Sequence, residues 1–256
     1  MKILVTNDDG IYADGIQQLV KALEKKPDNE VLIVAPDREQ SAMGHAITLH
    51  RPLRVKEVDY QDIKAKSLAV NGTPADCVKL GIEAILEENP DIVISGINRG
   101  PNLGCDVLYS GTVSAAFEGI LLGVPAIAVS LAAYDELDFT CAAEFVSELI
   151  DDLKERGLNN EVLLNVNIPF CSKEELEGVQ ITKLGNRNYV NTFDERIDPR
   201  GEVYYWMGGD IMEEDNDGET DVVAINKQRI SITPIRLNLT DFEVMKELDQ
   251  IDLELF

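Results

Sequence analysis

Apolar residues over the first 135 positions recur with two alternating periods, and that alternation predicts an architecture. Lys2 to Thr6 is a short β-rich run; Gly15 to Lys25 carries Ile16, Leu19, Val20 and Leu23 at helical spacing; Glu30 to Pro36 reads EVLIVAP, strand-like again. Together these make a βαβ unit. After an extended stretch from Ile47 to Val70 come a helix over Ala75 to Leu86, a strand over Asp91 to Ser95, a helix over Thr112 to Leu122 and a strand over Ala126 to Leu131. The runs DIVIS and AIAVS are apolar nearly throughout, as central parallel strands covered on both faces are. A helix from Phe139 to Arg156 and a strand from Val162 to Val166 complete an α/β pattern with a doubly wound, mostly parallel sheet.

The pattern changes after Ile168. Shorter strand candidates follow at Gly178 to Lys183, Val203 to Met207 and Ile230 to Ile235, and then an acidic helix from Asp241 to Ile251. We expect residues 1–168 to form a Rossmann-like core. Residues 169–256 are expected to form an extension of hairpin and C-terminal helix, not an independent domain, that wraps a second subunit.

Composition narrows the function. With 256 residues, 45% of them hydrophobic, the chain can bury one large core. It contains no run near the roughly 18 apolar residues of a membrane span, and Met1 to Val5 leads directly into polar residues without a signal-peptide core. A cytoplasmic location without membrane association is the expectation. Cys77, Cys105, Cys141 and Cys171 form no CxxC pair and have no nearby His at ligand spacing, so reduced thiols are expected. The net charge of −24 argues against a nucleic-acid polymer as partner, because backbone binding needs clustered Lys and Arg. A small anion stays possible where a divalent cation and local amides reverse the field. The acid is concentrated in Asp210 to Asp221 and Asp241 to Glu254, both read as solvated surface.

The candidate chemistry sits where strands end. Asn7-Asp8-Asp9-Gly10 follows the first strand; its carboxylates are hard oxygen ligands suited to Mg²⁺ or Mn²⁺, although the same string is also good turn chemistry. The loop after EVLIVAP contains Ser41, an additional oxygen or a simple turn residue, and His45. Asn71 to Asp76 is explained by helix capping, with Thr73 at the N-cap and Pro74 after it. Ser95-Gly96-Ile97-Asn98-Arg99-Gly100-Pro101-Asn102-Leu103-Gly104 combines glycines that allow close backbone approach with amide oxygens and one cation. Finally, Ser110, Gly111 and Thr112 begin a helix, where backbone N–H groups beside hydroxyls can seat a phosphate.

Taken in order, these strings resemble the SurE (survival protein E) family. The likeness rests on Asn7 to Gly10, Ala35-Pro36-Asp37-Arg38 reaching Ser41, Gly72 to Val78, Ser95 to Asn102 and Ser110 to Val113. It continues through Asn165 to Pro169, Asp198 to Gly201, Tyr205-Trp206 and Ser231 to Pro234, and so covers essentially the whole chain. The resemblance implies a Rossmann-like core, an exchanged C-terminal segment forming a homodimer or homotetramer, and metal-dependent hydrolysis of nucleoside 5′- and 3′-monophosphates. It implies one divalent ion per subunit, held by Asp8, Asp9, Ser41 and Asn98.

The residues agree with that chemistry. A phosphomonoester needs charge neutralisation and an in-line water more than a covalent nucleophile. Asp8 and Asp9 are the candidate catalytic groups. Asn98, Arg99, Asn102, Ser110, Gly111 and Thr112 are the candidate substrate contacts, and His45 is a candidate leaving-group acid. A dinucleotide-dependent oxidoreductase is disfavoured, because the first turn reads NDDGIYADG and not GxGxxG. A non-catalytic nucleotide-binding stress or interaction protein is the alternative.

Overall fold

The computed structural model describes residues 1–135, 138–157, 160–214 and 216–251. Its longest apolar runs occupy the middle of one sheet. The strands are β1 (Lys2–Thr6), β2 (Glu30–Pro36), β3 (Val55–Glu57), β4 (Lys66–Val70), β5 (Ile92–Arg99), β6 (Ala126–Ala132), β7 (Leu163–Pro169) and β8 (Val179–Ile181). Four short strands, β9 (Asn188–Val190), β10 (Phe193–Ile197), β11 (Val203–Met207) and β12 (Asp210–Met212), lie outside that sheet, and β13 (Ile230–Ile235) returns to it. The order across the sheet is β3-β4-β2-β1-β5-β6-β7-β13-β8. Every pairing from β4 to β7 is parallel, while β3 and β13 run antiparallel to β4 and β7.

Period-two alternation sends successive side chains to opposite faces. Ile3, Val5, Ile33 and Ile94 meet Ile16, Leu19 and Leu23 of α1 (Asp14–Glu24) and Val146 of α4 (Thr140–Arg156). Leu4, Val34 and Val93 meet Cys77 and Val78 of α2 (Pro74–Leu80) and Val113, Ala115 and Ala116 of α3 (Gly111–Leu121). The sheet is thus covered on both faces, as the apolar runs require.

Chain order makes the central strand pair special. From β1 the chain winds outward through β2 to β4, then crosses back to place β5 on the other side of β1. The C-terminal ends of β1 and β5 therefore diverge into loops going opposite ways, the crevice in which doubly wound sheets take ligands.

Three features differ from the sequence expectation. The helix expected to reach Leu86 runs regularly only to Leu80 and continues as a widened π turn over Gly81–Ile85. Apolar periodicity persists through that turn, so spacing alone cannot register the change. Residues after 168 do more than form an appendage: β13 and β8 extend the main sheet, and α5 (Asp221–Asn226) packs on β13 and β7. Lastly, the acidic stretch from Asp210 is not uniformly solvated. Asp217 and Glu219 are exposed, but Asp221 is fully buried at the start of α5. Asp215 and residues 252–254 of the two acidic stretches lie outside the described residues. The last element among the described residues is α6 (Phe242–Leu248), with no buried residue.

Candidate active site and metal centre

β1 ends in a turn that its own polar groups hold together. Asn7 Nδ2 donates to the Gly10 carbonyl at 2.9 Å, and the Ala13 N–H donates to the same oxygen at 3.0 Å. Gly10 has φ +98°, and a Cβ there would lie 3.0 Å from the Arg38 backbone. Glycine is what lets this turn lie against the loop after β2. The Gln40 N–H completes the join by donating to the Asp8 carbonyl at 2.7 Å.

Asp8 is clamped from α3. Thr112 Oγ1 donates to Asp8 Oδ1, and the Thr112 N–H donates to Oδ2 at 3.1 Å. The approach is close enough that a Cβ on Gly111 would stand 2.9 Å from both Cβ and Oδ2 of Asp8. Asp9 is held from β5, whose Arg99 N–H donates to Asp9 Oδ2 at 3.0 Å. Just before this, β5 slips register against β6, three steps from Ser95 to Asn98 opposing two from Ala128 to Ser130. A bulge of this kind re-aims the side chains beyond it. Asn98 Nδ2 then donates to the Gly100 carbonyl at 2.7 Å, which leaves its amide oxygen as the ligand-facing chemistry of that side chain.

Asp8, Asp9, Ser41, Asn98, Arg99, Asn102 and Ser110 line one cleft of about 980 Å³. Gly111 and Thr112 are buried behind Asp8, and both hydrogen-bonding groups of Thr112 are directed at its carboxylate. Ser110 Oγ caps α3 by accepting from the Val113 N–H at 3.1 Å. Ser41 is exposed and donates to Glu39 Oε1 at 2.8 Å. The Arg99 guanidinium reaches outward, with Nε donating to the Tyr134 carbonyl at 2.7 Å. His45 is not among the residues lining this cleft. Its Nε2 pairs with Glu118 Oε2 at 2.8 Å, fastening its loop to α3.

The wall facing the carboxylates was invisible to sequence reasoning. Asp106, Tyr134, Asn188 and Tyr189 line it, and the Tyr189 hydroxyl donates to Asp106 Oδ1 at 2.7 Å. Asn188 and Tyr189 arrive on β9 from a part of the chain without α/β periodicity, and no local string marks them.

Burial pushes the Asp8 carboxyl up to about 6, against the hydrogen bond from the Thr112 hydroxyl and with the Asp9 charge adding to it. Burial also raises Asp9, opposed by the Arg99 N–H. Adjacent carboxylates disfavoured as anions are what a divalent cation relieves. The donor set fits such an ion: two carboxylates, an amide oxygen and a hydroxyl are hard ligands of the kind Mg²⁺ and Mn²⁺ take. Among the described residues there is no cluster of three or more His, Cys, Asp and Glu that could hold an ion, so the amide and hydroxyl oxygens are needed to complete the set.

A family model described as Survival protein SurE matches residues 3–191. The chain belongs to the SurE family. It is 54% identical over 252 residues to the 5′-nucleotidase SurE of Pelotomaculum thermopropionicum, covering 98% of this chain and 95% of the relative. Against the 5′-nucleotidase SurE of Desulforamulus reducens it is 54% identical over 249 residues, with 97% of each chain covered. The crystal structure of the SurE protein from Aquifex aeolicus superposes with a TM-score of 0.85 at 40% identity, covering 97% of this chain and 98% of that one. The likeness therefore extends through the C-terminal strands as well as the sheet.

Proposed function

We propose that this chain is a nucleoside-monophosphate phosphohydrolase, releasing inorganic phosphate from nucleoside 5′- and 3′-monophosphates with one Mg²⁺ or Mn²⁺ per subunit. The observation that carries this reading is the Asp8–Asp9 pair. Both carboxylates are raised by burial and face a cleft at the switch point of the sheet, beside the start of α3. Relatives about half identical over nearly their full length bear the name 5′-nucleotidase, which supports the same reaction.

Asp8, Asp9, Asn98 and Ser41 would hold the ion. When bound it supplies Lewis acidity to a phosphoryl oxygen and neutralises charge there. The chain's own groups do the remainder. Asp9, the less buried carboxylate, orients the attacking water and accepts its proton. Asp8 is poorly placed to attack phosphorus itself, because Thr112 donates to both of its oxygens and it is only 4% exposed. At the positive end of α3, the Ser110 hydroxyl donates to a phosphate oxygen, with Asn102 and Arg99 as flanking contacts, while Gly111 lies behind Asp8 and lets α3 approach it. Thr112 contributes by holding Asp8.

No helix among the described residues is long and apolar enough to cross a membrane. We place the enzyme in the cytoplasm as a homodimer or homotetramer, joined through residues 169–256. Phe193, Ile197, Tyr205, Trp206 and Met207 on the β10–β11 hairpin are all more than half exposed, an apolar surface of the kind that a second copy covers.

The test is phosphate release by chelator-stripped protein from a panel of nucleoside 5′- and 3′-monophosphates, before and after Mn²⁺ or Mg²⁺ is restored. Release that returns with the ion supports the assignment. Binding of the nucleotides without release under every condition would replace it with a sensing role.

A further inference from the structure

The turn 100–104, which follows β5, forms one side of the cleft, yet the groups that fix it come from the distant half of the chain. Asn102 is gripped by β7. Its N–H donates to Asn167 Oδ1 at 2.8 Å, and its carbonyl accepts from Asn165 Nδ2 at 2.9 Å and Asn167 Nδ2 at 3.1 Å. Its own side-chain nitrogen donates to Ser130 Oγ on β6 at 2.8 Å. Two residues on, the Gly104 N–H donates to Asp221 Oδ2 at 2.9 Å. The other oxygen of Asp221 accepts from the N–H groups of Gly185 at 2.7 Å and Val222 at 2.8 Å.

These contacts are costly to bury. Asn165, Asn167 and Asp221 are fully buried, and burial raises the Asp221 carboxyl against the three N–H groups that hold it. A buried carboxylate is retained only where its partners need a charged acceptor. Gly104 leaves no slack here: its φ is +51°, and a Cβ on it would stand 2.5 Å from the Gly185 carbonyl. Asp221 therefore ties the start of the 104–108 turn, whose Cys105 and Asp106 line the cleft, to the segment leading into β9.

We infer that Asp221 and Asn167 are positioning residues for substrate: a buried clamp from α5 and β7 that sets the 100–104 turn, and through it Asn102, against the phosphate. This deepens the phosphatase reading and rests on it. Neither residue touches the cleft, so their effect passes through the turn. The ion ligands are fixed by other contacts: Thr112 holds Asp8, the Arg99 N–H holds Asp9, and Asn98 and Arg99 are themselves set in β5 by its pairing with β6. The clamp grips the chain beyond them, at Asn102 and Gly104, so ion affinity does not depend on it.

The test uses full-length, Mn²⁺-saturated enzyme and its Asp221→Asn and Asn167→Ser variants. In Asp221→Asn one of the two carboxylate oxygens becomes an NH2 group and the charge is lost, so the side chain can no longer accept from all three N–H groups of Gly104, Gly185 and Val222. We expect KM for 5′-AMP and the inhibition constant of inorganic phosphate to rise together by about tenfold, the equivalent of one charge-assisted hydrogen bond. The kcat and the Mn²⁺ dissociation constant measured by calorimetry should stay within about threefold, less than a single lost hydrogen bond. Hydrogen exchange in peptides covering residues 98–108 should be slow in the wild type and quicken in both variants. Wild-type KM and phosphate inhibition in a folded variant would overturn the clamp. So would fast exchange of residues 98–108 in the wild type, a result that needs no variant to fold. Absence of phosphate release by the wild type from any nucleoside monophosphate would instead sink the phosphatase reading and leave the exchange result standing.

Discussion

At the scale of single residues, the site is a compromise in favour of charge where the fold would prefer none. Asp8 sits among Thr112, Gly111 and Asp9 with little access to water, and its carboxyl rises from an ordinary value of 3.8 to about 6. The sign of the consequence for stability is fixed. Between about pH 4 and pH 6 the folded, ion-free chain keeps a proton that the unfolded chain has released, so its stability falls as pH rises through that window. At about 1.4 kcal/mol for each tenfold change in proton affinity, the loss is of order 3 kcal/mol. Urea denaturation of chelator-treated protein should show this decline, and Asp8→Asn should remove most of it. An identical pH dependence in the variant would show that Asp8 is not the group responsible. Thr112 is the residue whose role sequence least reveals: the hydroxyls of Ser110 and Thr112 at a helix start read as a phosphate seat, whereas the Thr112 hydroxyl and N–H are both given to Asp8.

At the scale of elements, α3 links fold to chemistry, because its first turn carries both the cap and the clamp on Asp8. Ser110→Ala removes the acceptor of the Val113 N–H and should lower stability by about 1 kcal/mol, measured by denaturant titration without the ion. Unchanged stability would show that the cap is not holding this turn. The strands of the parallel core were legible because both of their faces are covered, which leaves an uninterrupted apolar run and little ambiguity. The segments bearing Asp8, Asp9 and Asn98 stood out because glycine, amide and carboxylate residues gather where each apolar run stops, although β5, expected to end at Ser95, continues past its bulge to Arg99 and carries Asn98 within it. What stayed hidden depends on partners far along the chain. The slot for β13 beside β7 is set by the pairing of Ser231 with Asn167 and its neighbours, which no window of sequence contains. Asp221 illustrates the same limit: amid exposed acids it reads as surface, and only the packing of α5 on β7 and β13 buries it. His45 likewise read as a possible acid, and its pairing with Glu118 gives it a place outside the cleft wall.

At the scale of the whole molecule, the sheet is a closed piece of packing and the segments beyond it are not. An isolated two-stranded hairpin is marginal in water. Yet β10 and β11 stand apart from the main sheet with Trp206 61% and Met207 75% exposed. Phe242, Met245 and Leu248 of α6 are exposed as well. If these segments join subunits, deleting the residues after about Arg236 should weaken assembly before it reaches the ion site; a truncated chain of native oligomer size in light scattering would contradict this. The chemistry of the cleft between β1 and β5 is open to one decisive comparison: phosphate release from 5′-AMP by wild type and Asp9→Asn, each with and without Mn²⁺. The wild type should release phosphate only with the ion, and Asp9→Asn, while still folded, should lose most of that release. Full, ion-independent turnover in Asp9→Asn would contradict this.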